Sequence, residues 1–254
     1  MTATTNAVKG GQVPLKNVAA FMTLTMRLIE RAPHLPGFGV CHGASGLGKT
    51  EASIYAQNKT NAIRVEVRDT WSRKSFLKAL LFELQADAKG TIADMADQAM
   101  ALLGDNPRRP LIIDEADRLV DKGMIELARD IGDVAGCPVI FIGEERLPMK
   151  LQAHERVHNR VLDWMPAQPC DVDDTAALAK ALYPTITVTP DLAAEITRQS
   201  DGRARRIVKN LDDALLIARN RGIKTIDRAA WGTTPFFNSR APQPRCFDTA
   251  RRSA

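Results

Sequence analysis

The chain has 254 residues, 44% hydrophobic and 26% charged, with a net charge of +5. That length suits one large or two small domains with a sizeable core. No apolar run approaches the roughly 20 residues of a membrane span, and no basic-then-apolar leader opens the chain, so a cytoplasmic protein is expected.

Aromatic content is low at 5%, as in helix-rich α/β proteins. The four cysteines are far apart, show no C-x-x-C spacing, and read as reduced thiols rather than a zinc site. Charge is uneven. Residues 199–254 hold twelve Lys and Arg against five Asp and Glu, a local +7. A basic C-terminal segment suggests a polyanionic partner.

In chain order, residues 1–12 are small and polar and are expected to be disordered. Asn17 can cap a helix carrying Ala20, Phe21, Leu24 and Leu28, which Pro33, Pro36 and Gly37 end. Short apolar runs follow at Phe38–His42, Ala62–Val67, Pro110–Asp114 and Pro138–Gly143, with a fifth at Asn159–Trp164. They read as buried parallel strands. Helices are predicted between them. One is capped by Ser72 and carries Phe76, Leu77, Leu80, Leu81 and Leu84; another runs from Ile92 to Leu103. Such alternation predicts an α/β sheet with right-handed crossovers.

After Pro166–Pro169 only helices are predicted: Asp174–Leu182, one starting at Thr189-Pro190, and Arg203–Arg221 with Gly222 as its stop. From Thr233 a flexible basic tail is expected. The divisions are 1–12, an α/β domain over 13–168, a helical lid over 169–232, and a tail over 233–254.

The chemistry begins after the first strand. Gly43-Ala44-Ser45-Gly46-Leu47-Gly48-Lys49-Thr50 fits G-x-x-x-x-G-K-S/T without a mismatch. Backbone N–H groups of such a loop wrap phosphates, and the following helix aims its positive end at the same anion. Lys49 reaches the β- and γ-phosphates, Thr50 can hold Mg²⁺, and Glu51 follows in the same turn. A second acidic motif is expected on a neighbouring strand, and Leu111-Ile112-Ile113-Asp114-Glu115 supplies it. Asp114 would bind the metal through water, and Glu115 would polarise the attacking water. ATP and Mg²⁺ are therefore the expected cofactors.

Other nucleotide proteins fit less well. Asn58-Lys59-Thr60-Asn61 lacks the acid that a guanine-reading N-K-x-D needs, and no second glycine-rich signature of an ABC ATPase is seen. The letters D-E-A-D at 114–117 stand in a chain too short for two helicase domains. A small-molecule kinase often lacks the Asp-Glu pair and carries an inserted lid; it stays as an alternative.

With these motifs the chain resembles the AAA+ ATPases: a P-loop core with a parallel five-stranded sheet, plus a small all-helical lid. More narrowly it resembles the DNA-transposition ATPases, the phage Mu transposition protein B and TnsC-like group. The narrower likeness rests on V-P-L-K-N-V-A-A-F, I-F-I-G-E-E-R-L and G-R-A-R-R-I-V. It covers about residues 13–230.

The resemblance implies an active site shared between subunits. Glu144 stands where the family often has a polar Asn, Thr or Ser sensor. Arg160, with Arg156 in reserve, resembles the arginine finger offered to a neighbour's γ-phosphate. Arg205, with Arg206 next, resembles the lid arginine. Arg64, Arg68, Arg73, Lys74 and Lys78, with Trp71 among them, fall where relatives track DNA; packing is the favoured role for Trp71. The function so implied is ATP-dependent, non-sequence-specific binding of double-stranded DNA as a helical homo-oligomeric filament. That filament would activate or direct a transposase, and hydrolysis would dismantle it, in a phage- or transposon-encoded bacterial protein. A replication initiator or helicase loader is the runner-up.

Overall fold

The computed structural model describes Val13 and residues 15–239. The expected disorder over 1–12, and the tail beyond Ser239, lie outside the described residues. The elements run α1 (Lys16–Ile29), β1 (Phe38–His42), α2 (Lys49–Thr60), β2 (Ile63–Glu66), α3 (Arg73–Glu83), α4 (Ile92–Gly104) and β3 (Leu111–Asp114). Then come α5 (Asp117–Asp121), α6 (Ile125–Ala135), β4 (Val139–Gly143), α7 (Leu147–Gln152), α8 (Glu155–His158) and β5 (Val161–Pro166). The C-terminal part holds α9 (Val172–Leu182), β6 (Thr187–Val188), α10 (Pro190–Gln199), α11 (Ala204–Arg221), β7 (Thr225–Ile226) and α12 (Arg228–Trp231).

The five predicted strands form one parallel sheet in the order β2-β3-β4-β1-β5. Every residue of β3 and β4 is buried, which is why both read as unbroken apolar runs. The chain leaves β1 for the far edge at β2 and returns through β3 and β4 to β1's side. That reversal places a crevice at the carboxyl ends of the central strands.

Helices cover both faces. On one, Phe76, Leu77, Leu80, Met95, Leu103 and Ile131 pack on the strands, and Phe38 meets Phe141 edge to face at 5.6 Å. On the other, Phe21, Leu24 and Leu28 of α1 share one core with Ala52 of α2 and with Leu192, Ile207, Leu211 and Trp231 of the C-terminal helices. The C-terminal helices are thus seated on this face of the sheet through a continuous apolar contact. Burial of such residues contributes about 1.5–3 kcal/mol per large side chain.

Three expectations change. Asn17 is not a cap: Leu15 holds that position, and Asn17 lies inside α1, 5% exposed. Its amide donates to the carbonyls of Leu47 at 2.9 Å and Gln168 at 2.8 Å, and its carbonyl accepts the Gln168 N–H at 2.9 Å. A buried amide must satisfy both ends, and these partners outweigh a cap.

The C-terminal part is not purely helical, because Thr187–Val188 and Thr225–Ile226 pair in parallel. The tail's first residues are not loose. Phe236 stacks on Trp231 at 4.4 Å, and the Phe237 N–H donates to Asn210 Oδ1 at 2.8 Å. Asn210 is fully buried on α11, so tail backbone completes its hydrogen bonding. No helix among the described residues is long and apolar enough to cross a membrane.

Candidate nucleotide site

The loop after β1 folds as its glycines require. Gly48 sits at φ +85 immediately before α2, a left-handed position that side chains resist. Lys49 Nζ donates to the carbonyls of Gly43 at 2.5 Å and Ala44 at 2.9 Å, so the ammonium lies under the loop. Burial, above all, lowers its pKa from the usual lysine range. Leu47 is buried at the loop's base; Glu51 is exposed beside it in the first turn of α2.

The acids come on β3, which is not the neighbour of β1 that the sequence suggests; β4 pairs between the two, and the acids reach the loop from one strand further out. Thr50 Oγ1 donates to Asp114 Oδ2 at 3.0 Å, and the Glu115 N–H donates to Asp114 Oδ1 at 3.0 Å. Glu115 takes φ +57, a strained conformation for a non-glycine residue that clusters at functional sites. Desolvation first, then the neighbouring acids, pushes its carboxyl above the usual glutamate range; Arg118, 3.5 Å away, opposes this. The donor set suits Mg²⁺: a hydroxyl and a carboxylate converge, both hard oxygen ligands. Among the described residues no group of three or more His, Cys, Asp and Glu could hold a metal on its own. The remaining ligands would therefore have to come from phosphate and water.

The next loop and the lid complete the crevice. Glu144, Glu145 and Arg146 line a cleft of about 230 Å³ with Ala44, Ser45 and Arg203. The Glu144 N–H donates to Asp117 Oδ2 at 2.7 Å, which holds the β4–α7 turn, while the Glu144 side chain is exposed. From the lid, the Arg205 N–H donates to Gly46 O at 3.3 Å, and Arg203 Nη1 donates to Ser45 O at 3.0 Å. Arg206 turns away onto Asp201 at 2.6 Å. Arg205 thus touches the P-loop with its backbone, whereas Arg203, not singled out from the sequence, reaches it with its guanidinium. The predicted helix opens at Arg203, but the structure starts α11 at Ala204 and leaves Arg203 extended as its N-cap, which periodicity does not signal.

Arg160 and Arg156, expected as the finger and its reserve, have their contacts away from this crevice within one copy. Arg160 Nε donates to Asp133 Oδ1 at 2.8 Å, and its Nη1 donates to the Arg156 carbonyl at 2.8 Å. Arg156 is exposed on α8.

The basic cluster after β2 divides. Arg68, Arg73, Lys74 and Lys78 are exposed, and Trp71 is half-buried against the core. The Arg68 guanidinium lies 6.0 Å over the Trp71 ring, and Arg73 Nη2 donates to Gly123 O at 3.2 Å. Arg64 does not belong with them. Its guanidinium turns inward to Asp114 at 2.7 Å, because a nearly buried carboxylate demands a partner.

Residues 32–151 match the family model described as AAA domain. A search of curated proteins finds no match. Among solved structures, the Aeropyrum pernix ORC2 protein, in ADPNP–ADP complexes, superposes with a TM-score of 0.68 at 12% identity. It covers 85% of this chain and 65% of its own. The Aeropyrum pernix ORC1 protein in complex with DNA gives 0.63 at 15% identity, over 87% of this chain and 64% of that one. The Thermotoga maritima RuvB Holliday junction branch migration motor gives 0.58 at 16%, over 86% and 67%. The chain spans about two thirds of the length of these structures. Sheet order, loop geometry and these similarities together give the chain a P-loop fold like that of the AAA+ ATPases, and residues 32–151 are similar to the AAA domain.

Proposed function

We propose that this chain binds ATP with Mg²⁺, hydrolyses it, and couples that cycle to double-stranded DNA. The observation that carries the reading is the convergence of Lys49, Thr50, Asp114 and Glu115 beneath the P-loop, with Arg203 closing from the lid. Lys49 would exchange its two loop carbonyls for phosphate oxygens. Its ammonium is already desolvated, which strengthens each charge-assisted bond. Glu115, with its basicity raised, would take the proton of an attacking water. Mg²⁺, when bound through Thr50 and Asp114, supplies charge that polarises the phosphoryl oxygens. Arg203 and Arg205 would tie lid position to the state of the P-loop. Glu144, exposed at the cleft, would take the sensor's place, and a neighbouring copy would supply Arg160 or Arg156.

On this reading Arg68, Arg73, Lys74 and Lys78 hold phosphates without reading sequence, and Trp71 shapes their helix start. The protein assembles as a helical filament on target DNA and activates or directs a transposase, with hydrolysis dismantling the filament. A replication initiator or helicase loader is the second reading. It is favoured by the fold shared with the Aeropyrum pernix ORC proteins, one of them solved with DNA.

ATP turnover measured with and without duplex DNA tests the shared core: stimulation is expected, and DNA-indifferent turnover with phosphoryl transfer to a metabolite would instead mark a kinase. Pull-downs against transposase and replicative helicase separate the first two readings. Negative-stain images with DNA and a non-hydrolysable ATP analogue should show filaments; isolated monomers under all conditions would count against assembly.

A further inference from the structure

Arg64 lies on β2, an edge strand of the sheet, yet its side chain is only 14% exposed. Its Nη2 donates to Asp114 Oδ2 at 2.7 Å, and its Nε donates to Ser53 Oγ at 2.9 Å. The same Nη2 stands 3.4 Å from Glu66 Oε2. The Asp114 carboxylate is itself 5% exposed and is otherwise fully engaged. Oδ2 also accepts the Thr50 hydroxyl, and Oδ1 accepts the Glu115 N–H. A divalent cation approaching Asp114 therefore meets a guanidinium already seated on the oxygen that faces Thr50.

Two facts make this more than a structural ion pair. A hydroxyl and a carboxylate converge here, too few oxygens for a hard dication without phosphate, and among the described residues no group of three or more His, Cys, Asp and Glu could hold a metal. The guanidinium also has somewhere to go. Ser53 tethers its Nε, and the carboxylate of Glu66, 57% exposed, is the alternative acceptor beside it. Withdrawing Arg64 from Asp114 does not leave it a stranded charge.

We propose that Arg64 is a positioning residue: an internal counter-cation that keeps free divalent metal off Asp114 and yields only to metal arriving with nucleotide phosphates. The inference rests on the nucleotide reading of the same site. On loading, the guanidinium shifts toward Glu66 while Ser53 keeps it within reach. When metal and phosphate leave, it returns and neutralises Asp114.

The test is a titration of the full chain with Mn²⁺ alone, free ion followed by electron paramagnetic resonance, and a parallel titration with ATP present. The wild-type chain should take up little Mn²⁺ without ATP. Arg64→Gln keeps a hydrogen-bond donor for Asp114 but no charge. It should bind free Mn²⁺ about ten- to hundredfold more tightly, the range over which outer-shell partners set metal affinity. Arg64→Lys should restore exclusion, which a purely packing role would not. Adding Asp114→Ala to Arg64→Gln should erase the gain. Circular dichroism melts establish that each variant is folded. Equal uptake of free Mn²⁺ by wild type and Arg64→Gln, with ATP binding intact, overturns this inference alone. Failure of the wild-type chain to bind ATP with Mn²⁺ overturns the nucleotide reading and this inference with it.

Discussion

The P-loop cradle and the outer face of α3 are both cationic, and they use charge in opposite ways. In the cradle Lys49, Arg64 and Arg203 each close on a named acceptor, at 2.5–3.0 Å. On α3, Lys74 and Lys78 stand exposed, with no acceptor among the described residues fixing their direction. Held cations select one geometry, because burial removes water's competition and each bond constrains the next. Exposed lysines on flexible stems suit any phosphate backbone and are screened by salt. On the proposed reading, the same residue types would serve a specific small-molecule cradle in one place and a permissive polyanion surface in the other.

Four measurements break or sharpen that contrast. The largest effect is expected from Glu115→Gln. Removing the general base should lower turnover by about 10²–10⁴-fold while ATP binding persists. For the wild-type chain, Glu115 must be ionised to accept a proton, and its pKa is raised. The acid limb of the rate profile should therefore lie above the ordinary glutamate range and rise with pH. A limb at the usual carboxylate position would deny Glu115 that role.

Lys49→Ala should come next, weakening ATP binding about 100-fold by removing two charge-assisted bonds to phosphate. Isothermal titration with a non-hydrolysable analogue measures this, and a change below about threefold would mean the lysine is not on the phosphates.

Gly202→Ala probes the lid's contribution. Gly202 has φ +63, and an added Cβ would come within 2.6 Å of Pro169 Cβ and 2.8 Å of the Cys170 carbonyl. Left-handed strain plus a backbone clash should destabilise the fold by about 2–4 kcal/mol. A lower midpoint in thermal melts is expected, together with weaker ATP binding, since this turn sets Arg203 against the P-loop. An unchanged affinity would separate the lid from the cradle.

The smallest effect is expected from Lys74→Ala with Lys78→Ala. ATP affinity should stay as it was. The slope of log DNA affinity against log salt should fall by about one for each phosphate that the lysines neutralised. If ATP binding moves instead, the two cationic regions are not independent.

Much of the cradle is legible before folding is considered. The P-loop, the acidic strand end and the strands that carry them are local patterns: glycines at set spacing, then unbroken apolar runs. Their partners are dictated by the fold those runs impose. Helix α6 is harder to read from the sequence, although it buries Ile125, Ala128 and Ile131. It lies between two stronger signals, and its Gly132 discourages a helical assignment. That glycine is needed: a Cβ there would stand 2.5 Å from Val139 Cγ2 and 2.9 Å from Phe38 Cε1.

The sequence by itself determined that a P-loop follows one buried parallel strand and that another ends in two acids; only the sheet order decided that the two strands are not neighbours, with β4 between them. Tertiary structure decided which way the long polar side chains turn. It sent Arg64 to Asp114, fifty residues on, and Arg203 to Ser45 across 158. It drew Asn17 to Gln168 across 151 and laid the Phe237 backbone on Asn210. The reason is physical. Apolar periodicity is written along the chain, whereas a guanidinium or amide takes whichever acceptor the packed core leaves within reach.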